Sequence, residues 1–315
     1  MDPQTLRVMW KPPPKEMWNG AIRGYYVGFR ISGTEDPFNV QTVEVPDEYM
    51  EEMKLRIPDL QKYTQYGVMV QAFNDKGLGP KSEEIVVMTS EDVPSRPPQN
   101  VRCSVTSSSI LHVTWQPPPA DALNGILRGY KIGYKNMEEW SGSKIGFTQT
   151  TATYKTLENL EKNANYSVQI MGYTNMGEGV KSEAVYCKTK EDVPAPPAEI
   201  KVLPLSTETV LVVWKPPSRP NGYIIKYNVY ARELEDENKL RSETHSSRDA
   251  MQRTSQHNFP TKHSVRGDAV QYEVKGLKAN QRYEFWVTAT TAVGEGKSTA
   301  IIAEALMGTI CESLD

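Results

Sequence analysis

One unit recurs three times in this chain: an alternating strand, a proline stop, an Asn-Gly turn and a second alternating strand. In the middle copy Leu111, Val113 and Trp115 alternate with Ile110, His112 and Thr114. That period of two predicts a strand with Trp115 on one face. Pro117 to Pro119 close it, because proline cannot donate to a sheet ladder. Asn124-Gly125 signals a turn, and Tyr130, Ile132 and Tyr134 alternate again as a second strand. The first copy runs through Trp10, Asn19-Gly20 and Gly24 to Gly28; the third runs through Trp214, Asn221-Gly222 and Tyr227 to Tyr230. Trp10, Trp115 and Trp214 lie about 105 and about 99 residues apart, which is longer than a solenoid repeat and the size of a whole domain.

The sequence therefore predicts three all-β domains in series, at residues 1–91, 94–190 and 194–306, with a tail at 307–315. Repeats 2 and 3 begin with an extra alternating stretch, 100–105 and 199–203. Repeat 1 has no counterpart, so it is expected to lack its first strand. Each repeat closes with a leucine several residues before a strand-opening tyrosine: Leu60 and Tyr66, Leu160 and Tyr166, Leu277 and Tyr283. That spacing predicts a tyrosine corner, in which the phenol reaches back to main chain. A glycine-rich loop follows each time, at Gly77 to Gly79, Gly177 to Gly179 and Gly294 to Gly296. The linkers at 90–98 and 190–197 are rich in proline, which favours extended chain. They are expected to be short, stiff and end-to-end.

A net charge of -3 gives no bulk reason to expect nucleic acid as a partner. No run of 18 or more apolar residues predicts a membrane span, and Met1-Asp2-Pro3-Gln4 is not a signal peptide. Any signal or anchor segment is expected to lie outside this chain. Neither Gly-x-Ser-x-Gly nor His-Glu-x-x-His occurs. Gly296-Lys297-Ser298 resembles the end of a phosphate loop, but Thr291 stands where the first glycine is required. His112 falls in a strand, and His245, His257 and His263 in one long loop, at no zinc spacing. The reading is a non-enzyme with no cofactor and no metal.

Seven short strands, the Trp-x-Pro-Pro turn, the Asn-Gly signal, the tyrosine corner and the Gly-x-Gly loop together resemble the fibronectin type III domain in all three repeats. The fold this implies is three tandem immunoglobulin-like β-sandwiches. Gly177 to Ser182 and Tyr186 to Pro197 also resemble the Dscam family of adhesion receptors, as do the strands at 24–28 and 286–289. That resemblance implies an extracellular stalk segment of a single-pass immunoglobulin-superfamily receptor in neurons or immune cells. The stalk would space and orient adhesive domains outside this chain, which would carry homophilic recognition, and it could make lateral cis contacts. The competing reading is a receptor segment that docks a soluble protein or glycan through its loops. The Trp-Ser-x-Trp-Ser signature of such receptors fails at Trp140-Ser141-Gly142-Ser143.

Particular residues carry further expectations. Cys103 and Cys187 fall on the first and last strands of repeat 2, as either a disulfide or two buried thiols; Cys311 is left over. Asn165-Tyr166-Ser167 is a glycosylation acceptor sequence. Repeat 3 has a surplus at 235–262, read as a long mobile loop. The stretch 238–266, with Lys239, Arg241, Arg248, Arg253, Lys262 and Arg266, is either a solvated loop or basic enough to meet sulfated glycans or anionic lipid headgroups. Arg266-Gly267-Asp268 is an integrin-type motif, flattened if a strand begins at Ala269 as the pattern suggests.

Overall fold

The computed structural model describes residues 2–45, 50–138, 144–234, 259–279, 281–298 and 300–304. Domain 1 comprises β1 (Leu6–Trp10), β2 (Ile22–Ile31), β3 (Asn39–Glu44), β4 (Met53–Ile57), β5 (Gln65–Asn74), β6 (Gly77–Lys81) and β7 (Ile85–Met88). Domain 2 comprises β8 (Gln99–Val105), β9 (Leu111–Gln116), β10 (Gly129–Asn136), β11 (Gly146–Thr150), β12 (Tyr154–Leu157), β13 (Asn165–Thr174), β14 (Gly177–Glu178) and β15 (Val185–Lys188). Domain 3 comprises β16 (Ala198–Pro204), β17 (Thr209–Lys215), β18 (Lys226–Glu233), β19 (Thr261–Arg266), β20 (Gln271–Lys275), β21 (Arg282–Thr290) and β22 (Ala300–Glu304).

Each domain is two antiparallel sheets packed face to face. In domain 2 the smaller sheet has the order β12-β9-β8 and the larger runs β11-β10-β13, with β14 and β15 both on the far edge of β13. Domain 3 repeats this as β16-β17-β20 against β19-β18-β21-β22. Domain 1 has β3-β2-β5 with β6 and β7, but its smaller sheet is β1-β4 alone. Among the described residues nothing pairs with the second edge of β1.

The alternation in the sequence becomes burial. Leu111, Val113 and Trp115 point inward and are essentially inaccessible, while their neighbours face out. Each tryptophan meets the first tyrosine of the next strand across the sandwich. The ring centroids are 5.4 Å apart for Trp10–Tyr25, 5.2 Å for Trp115–Tyr130 and 5.4 Å for Trp214–Tyr227. Burying one such side chain contributes roughly 2–3 kcal/mol, and an aromatic pair on the order of 1 kcal/mol more.

Two expectations change. The surplus of repeat 3 does not reach Lys262 as loop: Thr261–Arg266 is β19, in register with β18 from Lys226↔Arg266 to Ala231↔Thr261. His263 therefore sits in a strand, stacked on Tyr272 at 5.2 Å. Ala269 does not open a strand; its N–H closes a turn on the Arg266 carbonyl, and β20 begins at Gln271. The remainder of the proposed loop and basic stretch, 235–258, lies outside the described residues. So do His245, His257, Trp140 to Ser143, Cys311 and the tail at 307–315.

Candidate functional site: two interdomain clamps

The linkers share the run Glu-Asp-Val-Pro, at Glu91 to Pro94 and at Glu191 to Pro194. In both, the aspartate folds onto its own chain: Val93 N–H donates to Asp92 Oδ1 at 2.8 Å, and Val193 N–H to Asp192 Oδ1 at 2.8 Å. The second carboxylate oxygen takes a lysine of the preceding domain, with Lys62 Nζ and Lys162 Nζ each at 2.7 Å. The tyrosine corners set those lysines in place. Gln61 N–H donates to Tyr66 Oη at 2.9 Å, and Glu161 N–H to Tyr166 Oη at 2.8 Å, one residue before each lysine. In domain 3 Lys278 N–H donates to Tyr283 Oη at 3.0 Å, and Ala279 stands in the lysine position.

The following domain grips the same linker. Asp92 N–H donates to Asn124 O, and Asn124 Nδ2 returns a bond to Val93 O at 2.9 Å. Asp192 N–H donates to Asn221 O, and Asn221 Nδ2 returns one to Val193 O at 2.8 Å. Asn suits this place because its φ is positive, 54° and 53°, in the left-handed region that Asn and Gly tolerate. Thr174 Oγ1 donates to Asp92 O at 3.0 Å, and Thr291 Oγ1 to Asp192 O at 2.9 Å. The proline then lies against the Gly-x-Gly loop. A Cβ on Gly179 would stand 2.6 Å from Pro94 O, and one on Gly296 would press still closer on Pro194 O.

These contacts hold both aspartate carboxyls below their ordinary value. Lys162 first, then the Val193 N–H and Ser108, hold the Asp192 carboxyl down at about 2. Lys62 lowers Asp92 in the same direction, against some desolvation by burial. The arrangement ties the main chain of each linker, through main-chain and side-chain bonds, to both flanking domains. It fixes one domain on the next.

The other singled-out residues lie elsewhere. Cys103 on β8 and Cys187 on β15 form a disulfide, with Cα atoms 6.3 Å apart, joining the edges of the two sheets of domain 2. It spans 84 residues, worth about 4 kcal/mol in the chain-entropy account. Asn165 is exposed at the start of β13, where Nδ2 donates to Glu138 Oε1 at 2.9 Å. Arg266 and Asp268 pair with each other at 2.9 Å, and a Cβ on Gly267 would collide with the Ile224 carbonyl. Lys262 is paired with Glu295 at 3.1 Å and lies over the Tyr230 ring. Burial raises the Glu295 carboxyl, but bonds from Thr288, Tyr230, Lys262 and Asn228 outweigh it and bring it to about 2. Both described cations of the basic stretch thus already have carboxylate partners. Among the described residues no helix is long and apolar enough to cross a membrane, and no three metal-ligating side chains converge.

The clamp residues Asp92, Asp192, Lys62, Lys162, Asn124, Asn221, Thr174 and Thr291 were not singled out as a site from the sequence. A signal was present: Glu-Asp-Val-Pro stands twice at one spacing, always followed by a domain bearing Asn-Gly.

Two packed sheets with a tyrosine corner and a clamped linker define an array of fibronectin-type modules. The fibronectin type III domain model matches residues 1–88, 96–188 and 195–304, and the chain belongs to that family. It is 37% identical over 303 residues to the cell adhesion molecule Dscam1 of Drosophila melanogaster, covering 95% of this chain and 14% of that protein. It is 39% identical over 299 residues to the cell adhesion molecule DSCAML1 of Homo sapiens, covering 94% of this chain and 14% of that one. The chain thus spans about one seventh of the length of these curated relatives. The solved FN1-FN3 domains of chicken CNTN1 align with a TM-score of 0.42 at 18% identity, over 96% of this chain and 94% of that one.

Proposed function

We propose that this chain is a non-catalytic, extracellular spacer of an adhesion receptor, in which the clamps hold three domains in one fixed relative orientation. In the parent protein it spaces and orients the domains that carry homophilic recognition. The observation that supports this most is the repetition of one clamp, atom for atom, at both junctions. A tether without a positional task needs no such clamp, since a flexible linker of the same length connects domains equally well. The rival reading needs free loops. Here the Asn124-Gly125 turn and the Gly177–Gly179 loop of domain 2 are occupied by the first linker, and their counterparts in domain 3 by the second.

Glycan on Asn165 fits this reading, because the side chain is exposed and an extracellular protein meets the transferase. Arg266-Gly267-Asp268 fits integrin binding poorly, because its two charges close on each other. Spin-label distance distributions across each junction test the proposal. The wild-type chain is expected to give one narrow distribution per junction, and Asn124→Gly with Asn221→Gly to broaden both. Wild-type distributions as broad as those of the double variant would overturn it.

A further inference from the structure

We propose that a glycan on Asn165 lies along the outer face of the larger sheet of domain 2, where an apolar niche and two lysines without carboxylate partners hold its core sugars. This rests on the glycan assignment above and adds what the glycan does there.

Asn165-Tyr166-Ser167 is the one Asn-x-Ser/Thr sequence in the chain. Tyr166 points into the core, so Asn165 and Ser167 share the outer face of β13, with Gln169 further along. A niche of about 110 Å³ opens on that face, and Ser167 is part of its wall. Gly133, Phe147 and Met171 give it an apolar lining, and Lys135 and Lys181 stand beside them. Phe147 itself is exposed.

The three domains differ at this place. The register opposes Arg30 to Gly67 in domain 1, Lys135 to Ser167 in domain 2 and Arg232 to Glu284 in domain 3. Arg30 pairs with Glu84 at 3.1 Å, and Arg232 pairs with Glu284. Among the described residues neither Lys135 nor Lys181 has a carboxylate partner. Ser167 stands where domain 3 has its carboxylate, and Ser167 supplies the hydroxyl that the acceptor sequence requires. In domain 3 Tyr230 also replaces Gly133 and stacks on Trp286 at 5.0 Å, so its own side chains fill the face. Domain 2 leaves the same place open, beside the acceptor asparagine.

The reach fits. From Asn165 to Gln169 the strand rises about 13 Å, and β10 lies about 5 Å to the side. An asparagine side chain carrying a chitobiose core covers that distance. Glu138 Oε1 accepts from Asn165 Nδ2 at 2.9 Å, and a glycosylated amide nitrogen keeps one N–H for such a bond. The acetamido methyl of a core sugar then meets Phe147 and Met171, while its carbonyl and the sugar hydroxyls accept from Lys135 and Lys181. Held there, the glycan covers an apolar patch and closes this side of domain 2 to protein contact, as suits a spacer.

The test compares the full chain secreted with an oligomannose glycan against the same chain trimmed by endoglycosidase to its single attached sugar. Intact mass reads occupancy, and acylation of lysines followed by mass spectrometry reads cover. Lys135 and Lys181 are expected to react about fivefold more slowly in the untrimmed form, the factor that one net hydrogen bond supplies. Lys201, exposed on domain 3, is expected to react equally in both. Phe147→Ala, at an exposed position, is expected to erase the difference between the two forms, and Phe147→Tyr, which keeps the ring, to retain it. A bare Asn165 in the secreted chain would overturn the glycan assignment and this proposal with it. An occupied Asn165 with equal lysine rates in both forms would overturn this proposal alone, as would slowing that survives Phe147→Ala. Self-association of the untrimmed chain that protects the same lysines would also overturn it, because a second copy would then cover the face.

Discussion

The two junctions share a backbone clamp and differ in which side chains reinforce it. At the first, Glu91 ties the linker forward to domain 2: Ile126 N–H donates to its Oε1 at 2.8 Å and Asn175 Nδ2 to its Oε2 at 3.2 Å. At the second, Glu191 lies against Gly222, and the reinforcement runs backward instead. Ser108 Oγ joins Lys162 on the Asp192 carboxylate at 2.9 Å. The same four-residue run, fastened to both neighbours at each junction, thus takes its extra side-chain bonds from the domain ahead in one case and from the domain behind in the other.

Substitutions at the loop glycines are expected to have the largest effect and to strike both junctions alike. Gly179→Ala and Gly296→Ala drive a methyl into the backbone of Pro94 and Pro194, which is rigid. Each is expected to cost its junction about 1–3 kcal/mol, as overpacking does, and to broaden the spin-label distances there. Gly222→Ala meets Glu191 and Thr291 side-chain atoms at 3.1 Å and is expected to leave the second junction in place. A broad second junction in Gly222→Ala would erase the distinction between backbone and side-chain neighbours.

Next come the asparagines. Asn124→Gly and Asn221→Gly each remove one hydrogen bond while keeping the left-handed turn, at about 1 kcal/mol per junction. Equal loosening is expected. Unequal loosening would mean that the side chains around the clamp matter more than the clamp.

Glu91→Ala separates the junctions directly. It is expected to loosen the first by about 0.5–1 kcal/mol, since its bonds are exposed, while Glu191→Ala changes nothing measurable at the second. Residual dipolar couplings of the flanking domains read the difference.

Acid should produce the smallest effect. The Asp192 carboxyl is held at about 2, below its ordinary 3.8, so its contribution is complete above about pH 4 and is lost as pH falls toward 2. The second junction is expected to loosen only in that window and to be insensitive between pH 5 and 8. Ser108→Ala should raise the pH at which that loss is complete and shrink the total effect, because it removes one bond to the ionised form while the upper end of the window stays at the ordinary carboxyl value. Loosening at neutral pH would show that another group governs the junction.

Much of this was legible in the sequence. The tryptophan strands and their buried faces, the strands after each Asn-Gly turn, the tyrosine-corner strands, the domain count and the missing first strand of domain 1 followed from alternation and its absence, whereas β4, β11, β12 and β19 did not. The basic stretch was legible only as composition. Its described members, Lys262 and Arg266, turned out to lie on a strand with carboxylates beside them, because Glu295 reaches across from the Gly-x-Gly loop and Asp268 folds back within a turn. The linkers were read as stiff from proline alone, although much of their fixation comes from residues outside them.

By itself the sequence determined what local chemistry dictates: period-two burial, proline stops, left-handed Asn-Gly turns, and the leucine-to-tyrosine spacing that closes a corner five residues long. Only the tertiary structure decided what those turns are for. The bond from Asn124 to Val93 spans 31 residues, that from Thr174 to Asp92 spans 82, and that from Thr291 to Asp192 spans 99. No local pattern encodes such partners. They meet because two sheets, folded by their own alternation, bring a turn from one strand pair and a loop from another to the same end of the sandwich, where the chain from the previous domain enters.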